Sequence, residues 1–158
     1  MRGVILDAAS LGEDVDLGPV LSLPRRWVCH EATPASEVAP RIRDAEVVLS
    51  NKVPLTAESL ACARCLRLVV VTATGTNNVD LAAATRQGIA VCNARAYATA
   101  SVAQHTMLLL LALARSLLPA ELSARDGTWS RSPFFCVLGH PVMELGDRRL
   151  GIVGYGEL

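Results

Sequence analysis

Residues 66–73 read LRLVVVTA, and this run restricts the fold more than any other stretch. Apolar side chains fall on both faces of the extended segment, as a central strand of a covered parallel sheet requires. Four further runs read as strands: GVILDA (3–8), RWVCHEA (26–32), EVVLS (46–50) and IAVCN (89–93). Helical stretches stand between them. ASEVAPRIRDA (35–45) is helical around its proline, or two short turns. TAESLACARC (56–65) has Thr56 as N-cap and Glu58 in its first turn. NVDLAAATRQG (78–88) is stopped by Gly88. Strand and helix alternating at this spacing predict an α/β domain with a parallel sheet.

After residue 98 the pattern changes. TASVAQHTMLLLLALARSLLPAEL (99–122) predicts one long helix, with Ser101 and Gln104 at capping-box spacing. Leu108 to Leu111 put apolar groups on every face, which predicts burial on more than one side, against another domain or subunit. Residues 126–147 form a long connection, and 149–153 a closing strand of a new sheet. The expected organisation is two parts, 1–98 and 99–158.

Composition excludes some partners. Half the residues are apolar (51%), enough for a real core, and the formal net charge is zero. Nucleic acid and anionic membranes usually demand a basic surplus, so neither is expected. Lys52 is the sole lysine among fifteen basic residues. The longest apolar run, Met107 to Ala114, falls well short of the ~20 residues a membrane span needs. MRGVILDAAS is not a signal peptide, and five cysteines without a secretory signal suggest reduced thiols and a cytoplasmic protein.

Two turns could carry chemistry. In VVVTATGTNNVD a buried strand runs into Thr74-Gly75-Thr76, with a helix starting near Asn77 or Asn78 and Asp80 in its first turn. The turn amides and the helix N-terminus would make an anion site at the carboxyl end of a strand. An ordinary capped loop fits the same residues. At the other end, Gly154-Tyr155-Gly156 follows the run LGIV, as the opening of a G-x-G-x-x-G dinucleotide turn would. The third glycine, the helix and the ribose-binding acid do not follow, and a glycine-rich turn is the simpler reading. Cys62 and Cys65 form a lone C-x-x-C with no second pair, so neither a zinc nor a redox site is expected. Cys29, Cys92 and Cys136 read as small buried apolar residues, and His30, His105 and His140 as structural.

In this order, TATGTNNVD, SVAQH, Gly127-Thr128-Trp129 and LGIVGYGEL resemble the D-isomer-specific 2-hydroxyacid dehydrogenases. LDAASLGEDVDL and SNKVPLT are similar to the glycerate dehydrogenase / hydroxypyruvate reductase branch. The resemblance implies a flavodoxin-like substrate (lid) domain, a linking helix and the first strand of a Rossmann domain. It implies hydride transfer between NAD or NADP and a small 2-oxo or 2-hydroxy acid, no metal, and a homodimer formed through the linking-helix region. On the matching positions, Thr74, Gly75 and Thr76 would hold the substrate carboxylate, with Ser50 to Lys52 near the same cleft. Val102 would lie beside the nicotinamide, and Gly154, Tyr155 and Gly156 would begin the pyrophosphate loop. The family's arginine, glutamate and histidine come later than its fingerprint, so no residue here inherits a catalytic role. The expectation is the front part of a longer enzyme, inactive alone. A rival within the resemblance is a nicotinamide-binding corepressor that uses the fold for dimerisation.

Overall fold

The computed structural model describes residues 2–23, 26–154 and 156. The chain divides into two compact units, Met1–Arg95 and Ala96–Leu158.

Unit 1 holds five short strands: β1 (Arg2–Ile5), β2 (Arg26–Cys29), β3 (Val47–Ser50), β4 (Leu68–Val71) and β5 (Ala90–Asn93). They pair in parallel in the order β2-β1-β3-β4-β5, which is the flavodoxin-like order. Between them run α1 (Gly18–Leu21), α2 (Ala35–Ile42), α3 (Ala57–Ala61) and α4 (Leu81–Arg86). The predicted α/β class is the observed one. Strands and helices are shorter than the apolar runs suggested, and α1 was not anticipated.

Period-two alternation sorts the strands between two cores. Val4, Val48, Val69 and Val71 join Val38 and Ile42 of α2, Leu60 of α3 and Ala83 and Ala84 of α4. On the opposite face Ile5, Val47 and Leu49 pack with Trp27 and with Leu17 and Val20 around α1. Local chemistry sets the helix ends. Thr56 caps α3 by accepting from the Ser59 amide at 3.2 Å, as expected. Gly88 stops α4 with a left-handed φ of +70°. Asp80 is not inside α4; it is the N-cap, accepting from the Ala83 amide at 2.8 Å.

Gly3 of β1 pairs in register with Trp27 of β2, and the indole lies over it. A Cβ at Gly3 would stand 2.4 Å from the ring, a distance no packing tolerates. Gly3→Ala is therefore expected to displace Trp27 and cost about 1–3 kcal/mol, the range for overpacking. The chain has two tryptophans, so emission measured in a Trp129→Phe background reports Trp27 alone. An unchanged spectrum and unfolding midpoint would defeat this expectation.

His30 follows β2 and continues its pairing, its amide donating to the Ile5 carbonyl at 2.9 Å. Burial, then the charges of Arg41 and Arg2, hold its imidazole below the ordinary histidine range. The folded state thus binds the proton less readily than the unfolded chain. Stability is full above the unfolded pKa of about 6.5 and is lost as pH falls below it. Thermal midpoints should drop between about pH 7 and pH 5, and His30→Gln should flatten that stretch of the curve. An identical slope in the variant would show that other groups set it.

Unit 2 contains α5 (Thr99–Ala114) and α6 (Leu117–Arg125), which pack on each other. The single long helix expected here is broken, with a 66° bend. The cause is Pro119. Its ring crowds the Arg115 carbonyl four residues back and its missing N–H removes a helical hydrogen bond, which disfavours a straight helix through 115–119. Ser116 takes up the break in the left-handed region (φ 49°). The proline then sits in the first turn of α6, where its missing N–H costs nothing. The capping box is also not formed. The helix begins at Thr99 after Ala98, so Ser101 is already helical and its hydroxyl donates to the Ala98 carbonyl. Leu108, Leu109, Leu111 and Leu113 are at least half exposed within this chain. No single helix among the described residues is long and apolar enough to cross a membrane. Residues 149–153 pair with no strand among the described residues.

The cysteines also correct the sequence reading. Cys29 and Cys92 are exposed because β2 and β5 are the sheet's edge strands, and Cys136 is half-buried. Cys62 and Cys65 are exposed at the end of α3, and all five thiols are free.

Candidate functional site

The carboxyl ends of β1, β3, β4 and β5 bring four loops to one rim of unit 1. Parallel strands make this the edge where α/β sheets bind ligands. Thr72 continues β4 by donating its amide to the Ser50 carbonyl at 3.0 Å. The chain then turns through Thr74, Gly75 and Thr76. Asn93 of β5 donates to the Thr74 carbonyl at 2.7 Å. In a trans peptide the next N–H points the other way, so the Gly75 amide faces away from Asn93. Among the described residues, no acceptor receives the N–H of Thr74, Gly75 or Thr76. These are the rim's available donors.

Gly75 keeps the turn open. A Cβ there would stand 3.1 Å from Asn77 Oδ1, tighter than ordinary contact. The helix N-terminus expected to help is not available, because the Asp80 carboxylate already caps α4. The anion-binding capacity of this loop is that of its turn amides.

The neighbouring loop, Ser50 to Val53, is held from three sides. Asp7, just beyond β1 and 6% exposed, accepts the N–H groups of Asn51 (3.0 Å), Lys52 (2.7 Å) and Val53 (3.3 Å). The Ser50 hydroxyl accepts from the Val53 amide at 3.1 Å. Asn78 Nδ2 reaches the carbonyls of Asn51 and Val53 at 3.5 and 3.4 Å, and a parallel bridge joins Leu55 to Val79. The loops after β3 and β4 are therefore tied together. Of Asn51, Lys52 and Val53, only Lys52 is exposed. Sequence reading named Lys52 but missed Asp7. The only signal was an acid ending an apolar strand, LDA.

The remaining candidates lie in unit 2. Val102, in the first turn of α5, is 40% exposed. Gly154 has φ +99°, in the left-handed region, and Tyr155 lies outside the described residues. A Cβ added at Gly154 or Gly156 would meet nothing within 4 Å. The described residues there do not enclose a pyrophosphate. Ser123 and His140 share a hydrogen bond of 3.0 Å, with no carboxylate bonded to the imidazole among the described residues. His140 thus ties the connection to α6, a structural role. No cluster of three metal-ligating side chains exists among the described residues.

The model of the D-isomer specific 2-hydroxyacid dehydrogenase catalytic domain matches residues 17–153. The chain belongs to this family. A glycerate dehydrogenase from Methylorubrum extorquens is 39% identical over 156 residues, covering 98% of this chain and 49% of the relative. A hydroxypyruvate reductase from Blautia hydrogenotrophica is 37% identical over 161 residues, covering 100% and 50%. Among solved structures, the NADPH-dependent glyoxylate/hydroxypyruvate reductase of Sinorhizobium meliloti, in complex with NADP and malonate, superposes with a TM-score of 0.74. Identity is 25%, with 99% of this chain and 46% of that one covered. This 2-hydroxyacid dehydrogenase chain spans about half the length of the curated relatives it matches.

Proposed function

We propose that this chain is the acid-binding part of an oxidoreductase that transfers hydride between NAD or NADP and a small 2-oxo or 2-hydroxy acid of the hydroxypyruvate/glycerate kind. The observation that carries the reading is the Thr74–Thr76 turn, whose three amides lack acceptors among the described residues. A substrate carboxylate supplies what they lack. Lys52, on the loop tied to this turn by Asn78, adds a cation near the same acid. The nicotinamide half of the reading draws on the relatives and on the spacing of Gly154 and Gly156 in the sequence. We place that cofactor with Val102, Gly154, Tyr155 and Gly156, a second copy of the chain along the linking-helix region, and the protein in the cytoplasm.

Amide NMR with added hydroxypyruvate tests the carboxylate site. The signals of Thr74, Gly75 and Thr76 should move in a saturable way. Movement elsewhere only, or none, would reject the site.

The 158 residues alone are expected not to oxidise NADH in the presence of hydroxypyruvate. Hydride arrival at the 2-oxo carbon needs a positioned proton donor. At this rim Asp7 is engaged by amides at both carboxylate oxygens. The one histidine of unit 1, His30, follows the edge strand β2, its carbonyl accepting from the Ala8 amide at 2.9 Å, and β1 and β3 separate that strand from β4 and the Thr74–Thr76 turn. Loss of NADH absorbance that depends on this chain would overturn the expectation.

A further inference from the structure

We infer that Asp7 is a positioning residue for the acid-binding rim: its buried carboxylate sets the 51–53 loop so that Lys52 is presented to the same acid as the Thr74–Thr76 amides. The inference rests on the function proposed above. Asp7 stands one residue after Leu6, whose amide bonds the Leu49 carbonyl at 3.0 Å. The sheet itself therefore fixes where this carboxylate lies relative to β3. Oδ1 accepts from the Asn51 amide at 3.0 Å, and Oδ2 accepts from Lys52 at 2.7 Å and Val53 at 3.3 Å.

Three successive amides directed at one acid are otherwise an anion nest, and nests bind ligands. Here the protein fills the nest itself. That denies it to substrate and spends it on fixing the backbone of Lys52. The turn of Asp7 tightens the same grip. Its carbonyl holds Ser10, through the amide at 3.0 Å and the hydroxyl at 2.7 Å. Ser10 in turn accepts the Asn51 side chain, at 3.0 Å on its carbonyl and 3.1 Å on its hydroxyl. Asn51 and Val53 are thereby committed to the protein, and Lys52 is left exposed. A flexible lysine gains from such a base, because an ammonium whose backbone is already ordered loses less entropy on meeting an anion.

The decisive comparison is Asp7→Asn in the intact 158-residue chain, combined with Lys52→Met. Asparagine keeps the volume but has one acceptor oxygen, and its NH2 group meets amide donors. Hydroxypyruvate is the probe, with Kd read from the Thr74–Thr76 amides and unfolding midpoints measured beside it. Asp7→Asn should raise Kd about tenfold, the scale of one charge-assisted hydrogen bond. In that background Lys52→Met should have little further effect, since the lysine is no longer placed. A purely structural Asp7 would instead lower the midpoint while the Lys52→Met penalty stayed whole. That additive result overturns the inference and leaves the carboxylate site standing. No movement of the Thr74–Thr76 signals in the unmodified chain would reject both. Should Asp7→Asn fail to fold, Asn78→Ala removes the loop's other tether. It must then show the same non-additivity with Lys52→Met, and additivity there counts against the inference.

Discussion

Leu60→Ala is expected to remove about 3 kcal/mol from the stability of unit 1, a typical cost for a fully buried leucine. Leu60 is 0% exposed in α3, in one cluster with Leu55, Leu66 and Val69. The helix has five residues, too few to stand alone, so packing and its Thr56 cap hold it in place. Truncation leaves a cavity against Val48 of β3 and Val69 of β4, and these two strands cannot close in because each is paired on both sides. The control is Leu81→Ala, 46% exposed at the start of α4, which should change stability by at most about 0.5 kcal/mol. Urea denaturation followed by far-UV circular dichroism compares the two. Equal effects would mean that the cluster around Leu60 is not the core. Because α3 lies between β3 and β4, the damage should also spread to the rim that both strands feed.

Lys52→Glu is expected to weaken hydroxypyruvate binding by about a hundredfold at low salt, and Lys52→Met by about tenfold. The first swaps an attraction for a repulsion between like charges; the second only deletes the attraction. Both penalties should shrink as ionic strength rises, because Lys52 is exposed and its field is screened beyond about 10 Å at 0.1 M. Lys52→Arg should retain most of the affinity. Titrations of the Thr74–Thr76 amides provide the readout. If Lys52→Glu binds within about twofold of the unmodified chain, a difference well under one hydrogen bond, Lys52 does not face the acid and the turn amides bind alone.

The rim was legible in sequence only in part, and the reason differs from residue to residue. Thr74-Gly75-Thr76 could be read because a buried apolar strand must end in an exposed turn, and glycine marks where a side chain would crowd. Lys52 could be singled out only through the family resemblance, which sets Ser50 to Lys52 near the cleft. Asp7 could not, although it organises the loop beneath Lys52. Its three partners are 44 to 46 residues away, and nothing local announces them. By position Asn78 reads as a possible helix start, whereas its side chain bridges to the carbonyls of Asn51 and Val53. Pro119 is a local signal for the break between α5 and α6. Its clash with the 115 carbonyl follows from covalent geometry alone, and it breaks what reads as one helix. Cys29 and Cys92 read as buried because free cysteine behaves as a small apolar residue, and only strand order, which makes β2 and β5 edges, exposes them.

By itself, the sequence determined the alternation of strands and helices, the parallel class, the turn at Thr74–Thr76 and, through motifs in a fixed order, the family. The first three follow from periodicity and from residue types that tolerate few conformations, and both act over a few neighbouring residues; the family rests on the resemblance of those motifs alone. The tertiary structure alone decided the strand order, the division of the core between two faces, and the capture of Asn51, Lys52 and Val53 by Asp7. Those depend on which distant segments meet. A buried carboxylate and an exposed ammonium acquire their roles from that meeting, since the same side chains in an open chain would both simply be solvated.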